Sequence, residues 1–108
     1  MKQLLQLEAF KKEISKFPQE TKEDLFSLIY RYLNGERLNK KDFKTFKIDK
    51  KNKIQEFKVK DDQGNWRVIS CFYNNDYLVL VYAFHKKSQE LLEKDKEIIR
   101  NRIGRIDL

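Results

Sequence analysis

The chain has little of several things that would tie it to a particular class of protein. Its 108 residues contain one cysteine, Cys71, so no internal disulfide can form, and its strand-like neighbours make that thiol a packed hydrophobe rather than a nucleophile. The one histidine, His85, cannot build a zinc site with a single cysteine, and no other spacing resembles a set of metal ligands, so neither metal nor cofactor is expected. No stretch approaches the roughly 20 apolar residues of a membrane span. The first ten residues, interrupted by Gln3, Gln6 and Glu8, are too polar for a secretory signal. A reducing, cytoplasmic setting without a membrane partner is therefore expected. Internal repeats, low-complexity linkers and shifts of composition are also missing, which leaves one domain over residues 1–108. A domain of this size buries about 65% of the surface its unfolded chain exposes, enough to fold without cross-links.

What the chain has in abundance is positive charge. Lysine and arginine number 24 against 17 aspartates and glutamates, a formal net charge of +7. That balance favours anionic partners, whether nucleic acid, an acidic protein or a membrane surface, and does not choose among them.

Periodicity divides the chain into elements. Leu7, Phe10, Ile14 and Phe17 recur at helical spacing among lysines and a glutamate, predicting an amphipathic helix that stops at Pro18. Residues 2–5 ahead of it read equally as a short edge strand or a first helical turn. Thr21 followed by Asp24 is a weak capping box, and Leu25, Phe26, Leu28, Ile29, Tyr32 and Leu33 continue into a second helix that Asn34 and Gly35 should end. The lysine-rich stretch 36–53 reads as a loop anchored by Phe43, Phe46 and Ile48. From Ile54 the period changes to two: Phe57 and Val59 alternate with Glu56, Lys58 and Lys60. Turn residues at 61–65 and 74–76 then separate strands over 66–73 and 77–84. The last of these is apolar apart from its tyrosine hydroxyls, so it should be a central strand buried on both faces. Leu91, Leu92, Ile98, Ile99, Ile103 and Ile106, interleaved with basic residues, predict a terminal helix. The expected fold is α+β: two N-terminal helices, an antiparallel sheet of three to four strands and a C-terminal helix, with the helices on one face and the other left open.

Alternation along the strands then picks out candidate functional residues. Lys58 and Lys60 share one side of the first long strand, although a solvated strand face carries such residues too. Arg67 opens the next strand between Trp66 and Val68, where an arginine costs free energy unless its charge finds a partner. His85, Lys86 and Lys87 end the third. Antiparallel pairing would gather these separated cations into one patch.

The runs Ile54-Gln55-Glu56-Phe57-Lys58-Val59, Trp66-Arg67-Val68 and Val79-Leu80-Val81-Tyr82-Ala83-Phe84-His85-Lys86-Lys87-Ser88-Gln89 resemble the central signature of HigB-like toxins in the RelE/ParE superfamily. The order of the flanking segments is similar as well, so the resemblance covers most of the chain. It departs at Glu90-Leu91, where the family often has threonine and proline, and lacks the glycine that commonly precedes the first of these strands. Both departures concern turns.

The resemblance implies a RelE-like fold and a metal-independent endoribonuclease that cleaves messenger RNA, usually on the ribosome, and so halts translation. It also implies a cognate antitoxin as partner. In such chemistry the 2′-hydroxyl attacks its own 3′-phosphate, which requires loss of a proton, stabilisation of charge on the phosphorane and a proton for the leaving oxygen. By resemblance Arg67 clamps the scissile phosphate with its planar fork. Lys58, Lys60, Lys86 and Lys87 hold the RNA backbone, with Lys47 and Lys53 as further RNA-binding residues. His85 is the natural proton carrier, Tyr82 a second candidate, and Glu56 is expected to orient Lys58 or a neighbouring arginine. Two other classes share these features: a ParE-like toxin that inhibits gyrase by binding, and a nucleic-acid-binding module without catalysis.

Overall fold

A computed structural model describes residues 2–86 and 90–107. The described residues adopt the expected α+β class, with three helices and five strands. Strand β1 (Gln3–Gln6) leads into helix α1 (Glu8–Ile14), followed by α2 (Gln19–Leu33), β2 (Phe43–Lys47), β3 (Lys53–Asp61), β4 (Gly64–Tyr73), β5 (Tyr77–Lys86) and α3 (Glu93–Gly104). The strands form one sheet in the order β1-β5-β4-β3-β2, with β1 parallel to β5 and every other pairing antiparallel.

The sheet is thus larger than the three to four strands expected, and mixed. The two additional members are both edges. Residues 3–6 take the strand alternative because they pair with the outer side of β5, from Gln3 opposite Tyr77 to Gln6 opposite Leu80. The stretch 36–53 is not wholly a loop: Phe43–Lys47 pairs with β3, and its two phenylalanines point to opposite faces, Phe43 towards α2 and Phe46 towards α3. Apolar residues three apart on an edge strand give no period of two, which is why the pattern hid it.

Local signals placed the end of α2 but not its start, since Thr21 of the weak capping box lies inside the helix, and α1 ends at Ile14, short of Pro18. Pro18 sits at the N-cap of α2, where its missing N–H costs nothing. At the other end Gly35 (φ 85°) and Glu36 donate to the carbonyls of Tyr32 and Arg31, a left-handed cap of the Schellman kind. Leu25, Leu28 and Ile29 of α2 pack with Phe10 and Ile14 of α1 onto Phe57, Val68, Leu78 and Leu80 of the sheet. Each such buried side chain contributes about 1.5–3 kcal/mol.

The expectation of one open face is corrected. Helix α3 packs on the side away from α1 and α2, placing Ile99 on Ile54, Ile69, Cys71, Val79 and Val81. Strand β5 is accordingly buried on both sides from Leu78 to Phe84, as its composition required. A bulge at Ile69/Ser70, opposite Tyr82 and Leu80, puts Val81 and Tyr82 on the α3 side together.

Beyond Leu80 no described strand lies on the outer side of β5, and side chains take up part of its hydrogen bonding. Glu13 of α1 accepts from the Ala83 amide at 3.1 Å, and Arg102 of α3 donates to the Val81 carbonyl at 2.9 Å. The two side chains also form a bidentate pair at 2.7 and 2.8 Å. Among the described residues no helix is long and apolar enough to cross a membrane.

Candidate functional site

Strands β3, β4 and β5 bring polar residues together at one end of the α3 side of the sheet. Register fixes the rows: Lys60 opposite Asn65 opposite Lys86, Lys58 opposite Arg67 opposite Phe84, and Glu56 opposite Ile69 opposite Tyr82. Side chains directly across such pairs stand about 4.5–5.5 Å apart at Cβ. The expected grouping of Arg67 with Lys58, Lys60 and Lys86 on one face is therefore built into the pairing.

Arg67 is the largest of the fully buried side chains among the described residues, with 1% of its surface exposed. Its guanidinium lies 3.3 Å from Glu56, itself 3% exposed, and 5.9 Å from the centre of the Phe84 ring. The other oxygen of Glu56 is 3.7 Å from the Lys44 ammonium on β2. Glu56 is thus shared between a buried and an exposed cation, the orienting role read for it.

Lys86 pairs with Asp95 in the first turn of α3. Burial, the charge of Lys94 and that of Arg67 pull Lys86 below the ordinary lysine range, and the Asp95 carboxylate opposes them. Asp95 is 1% exposed and also accepts from the Tyr82 hydroxyl at 2.8 Å and the Leu92 amide at 3.2 Å. Burial, then the negative charge of Glu13, raises Tyr82 above the usual phenol range. The sequence reading passed over Asp95. It stands four residues before the buried Ile99, on the same helical face, and an acid in an apolar stripe is the signal that marks it.

His85, Lys47 and Lys53 lie elsewhere. His85 follows Phe84 and so points to the opposite side of the sheet, where its ring stacks on Trp66 at 3.7 Å and 8°. Its Nε2 is 2.7 Å from the Gln63 carbonyl, which requires the proton on that nitrogen. Lys47 and Lys53 face each other at the far end of the β2–β3 pair, again on the side away from Arg67. Lys58 and Lys60 line a surface depression of about 520 Å³ with Lys41 and Asp42. Lys87 lies outside the described residues. Among the described residues no group of three histidine, cysteine, aspartate or glutamate side chains could hold a metal ion.

A sheet with helices on both sides and a cluster of strand-borne cations beside the start of α3 defines a small basic α+β protein with one polar end. The family model described as Phage derived protein Gp49-like (DUF891) matches residues 12–104, and the chain belongs to that family. Gp49-like proteins are toxins of the RelE/HigB kind, and a toxin of such a pair has an antitoxin partner. A comparison with curated proteins finds no match.

Proposed function

We propose that this protein is the toxin of a toxin-antitoxin pair, of the HigB-like branch, and acts in the cytoplasm as an endoribonuclease that cleaves messenger RNA on the ribosome without a metal. The observation that supports the reading is the strand register, which sets Lys58 opposite Arg67 and, one row on along the same face, Lys60 and Lys86 on either side of Asn65. Four cations from three strands suit a polyanion whose backbone charge must be held in register. The guanidinium of Arg67 offers paired N–H groups to the oxygens of a phosphorane, and the lysines add positive charge around it.

The reaction joins the 2′-oxygen to the adjacent phosphorus and releases the 5′-oxygen of the next nucleotide. Lys86 and Tyr82, both held by Asp95, are the proton-bearing groups on the Arg67 side, and Lys86 is the one whose affinity for its proton is weakened. His85, stacked on the opposite side, is given no part in proton transfer. Because Arg67 is buried behind Glu56 and Phe84, a phosphate reaches it only by displacing part of that cover.

Arg67→Lys, which keeps a positive charge beside Glu56 but not the planar fork, should lose most cleavage in a purified ribosome and messenger assay while remaining folded by circular dichroism. A folded variant with full activity would remove Arg67 from the mechanism. Expression in a bacterial host separates the alternatives: arrest of translation with cut messages agrees with the proposal, whereas DNA damage signalling without message cleavage would indicate gyrase poisoning.

A further inference from the structure

Strand β2 is an edge, and its hydrogen bonding leaves a ladder open. The Lys58 amide donates to the Asp42 carbonyl at 2.9 Å and the Ile48 amide to the Asn52 carbonyl at 3.0 Å, so the even-numbered residues of this segment bond to β3. The amides and carbonyls of Thr45 and Lys47 consequently point outward, where no described strand meets them. The Phe43 amide is already taken by the Asn39 carbonyl.

Alongside this edge runs a groove of about 640 Å³. Its apolar part is made by Tyr32, Leu38 and Phe43, with Tyr32 and Phe43 in ring contact at 4.6 Å. Arg37, Lys40 and Lys44 supply its charge. The one carboxylate in the lining, Glu36, is 3.5 Å from Arg31 and so is already compensated. Among the described residues neither Arg37 nor Lys40 has an ion pair.

We propose that the outer edge of β2 and this groove bind an acidic, extended segment of a partner protein as an added strand. Main-chain bonds to Thr45 and Lys47 would hold it, and alternate side chains would fall on the two faces of the sheet. On the α2 face they meet Leu38 and Phe43, which calls for aliphatic groups. On the α3 face they meet Lys44, already shared with Glu56 at 3.7 Å, and the demand for carboxylates comes from Arg37 and Lys40 in the groove lining. The occupant is thus an alternating aliphatic and acidic sequence. A second copy of this chain fits poorly, because pairing two β2 strands sets Lys44 and Lys47 of one against lysines of the other. RNA fits poorly too, since it has no amide ladder to offer and the groove floor is apolar.

The probe is a short synthetic peptide alternating valine and glutamate, capped at both ends, with a valine-lysine peptide and a single-stranded RNA oligonucleotide as comparators. Nuclear magnetic resonance should show the acidic peptide slowing amide exchange at Thr45 and Lys47 but not changing that of Lys44 or Phe46. Arg37→Glu combined with Lys40→Glu should weaken its binding by about tenfold or more. Thr45→Pro, which removes an outward amide and leaves the main-chain bonds to β3 while losing the Thr45 hydroxyl's bond to the Ile54 carbonyl at 3.1 Å, should abolish the protection. If that variant fails to fold, the charge reversals on the exposed loop still decide the matter. Absence of protection at Thr45 and Lys47, equal binding of the lysine peptide, protection by RNA instead, or a dimer of the free chain that Thr45→Pro dissociates would each overturn the proposal. RNA cleavage by the Arg37→Glu, Lys40→Glu protein should be unchanged, so failure here and failure of the nuclease reading are told apart.

Discussion

Replacing Asp95 by alanine should cost the fold about 3 kcal/mol, the lower end of what is lost when one partner of a buried ion pair is removed. Asp95 is 1% exposed and Lys86 12%, so the lysine left behind is largely dehydrated yet retains some contact with water. The substitution also strips the Tyr82 hydroxyl and the Leu92 amide of their acceptor. In a domain of this size such a loss lowers the melting temperature by roughly 12–24 °C. Asp95→Asn keeps an oxygen for Tyr82 but sets an NH2 donor against Lys86 and the Leu92 amide, so it should cost about 2–3 kcal/mol. Chemical denaturation monitored by circular dichroism reads these differences directly. The pairing itself is isolated by adding Lys86→Met to Asp95→Ala, which should recover part of the loss, with a coupling of about 1–3 kcal/mol. If Asp95→Ala lies within 1 kcal/mol of the parent, or if the double variant is no better than the single, Asp95 does not hold Lys86 in the way its position indicates.

Gly64→Ala should destabilise the protein by about 2 kcal/mol, because φ is 125° and an added Cβ would stand 2.8 Å from the Lys86 carbonyl oxygen and 3.0 Å from the His85 ring. A denaturation midpoint equal to the parent's would refute this. The Asp49 carboxylate, hydrogen-bonded by the Asn52 side chain, by the amides of Asn52 and Lys51 and by Arg100, is held down at about 2. Its folded value lies below its unfolded one, so the contribution of this turn is complete above the ordinary aspartate range near 3.8 and disappears as pH falls through about 2. A carboxyl titration by nuclear magnetic resonance with a midpoint near 4 would contradict that. Burial pushes the Cys71 thiol up to about 11. A thiol reagent at pH near 8 should therefore label it only as fast as the protein unfolds, and rapid labelling of the native protein would argue against its placement.

Features set within a few residues could be read from the chain directly. The end of α2 at Asn34 and Gly35 and the apolar run of β5 are of this kind, since backbone conformation and composition decide them locally. Alternation put Lys58 and Lys60 on one side, but it is the register between strands that sets Arg67 and Lys86 on that side too, and His85 goes to the other because Phe84 and Lys86 flank it. The edge strands were hidden because what makes residues 3–6 and 43–47 strands is the neighbour they pair with, not their own pattern. The side of the sheet that α3 covers is likewise a matter of packing between distant segments. The partner of Arg67 was within reach of the sequence, as Glu56 sits one row away on the same face of the adjacent strand. The partner of Lys86 was not, since Asp95 arrives from a helix whose first turn had no clear boundary.

The clasp between Glu13 and Arg102 has a consequence for how the molecule comes apart. These residues belong to helices on opposite surfaces, and they meet around the rim of β5 while also finishing its main-chain bonding at Val81 and Ala83. Peeling away the C-terminal helix would strand the Glu13 charge and bare the rim, so the first and last helices should open together, as one cooperative unit rather than as independently fraying ends.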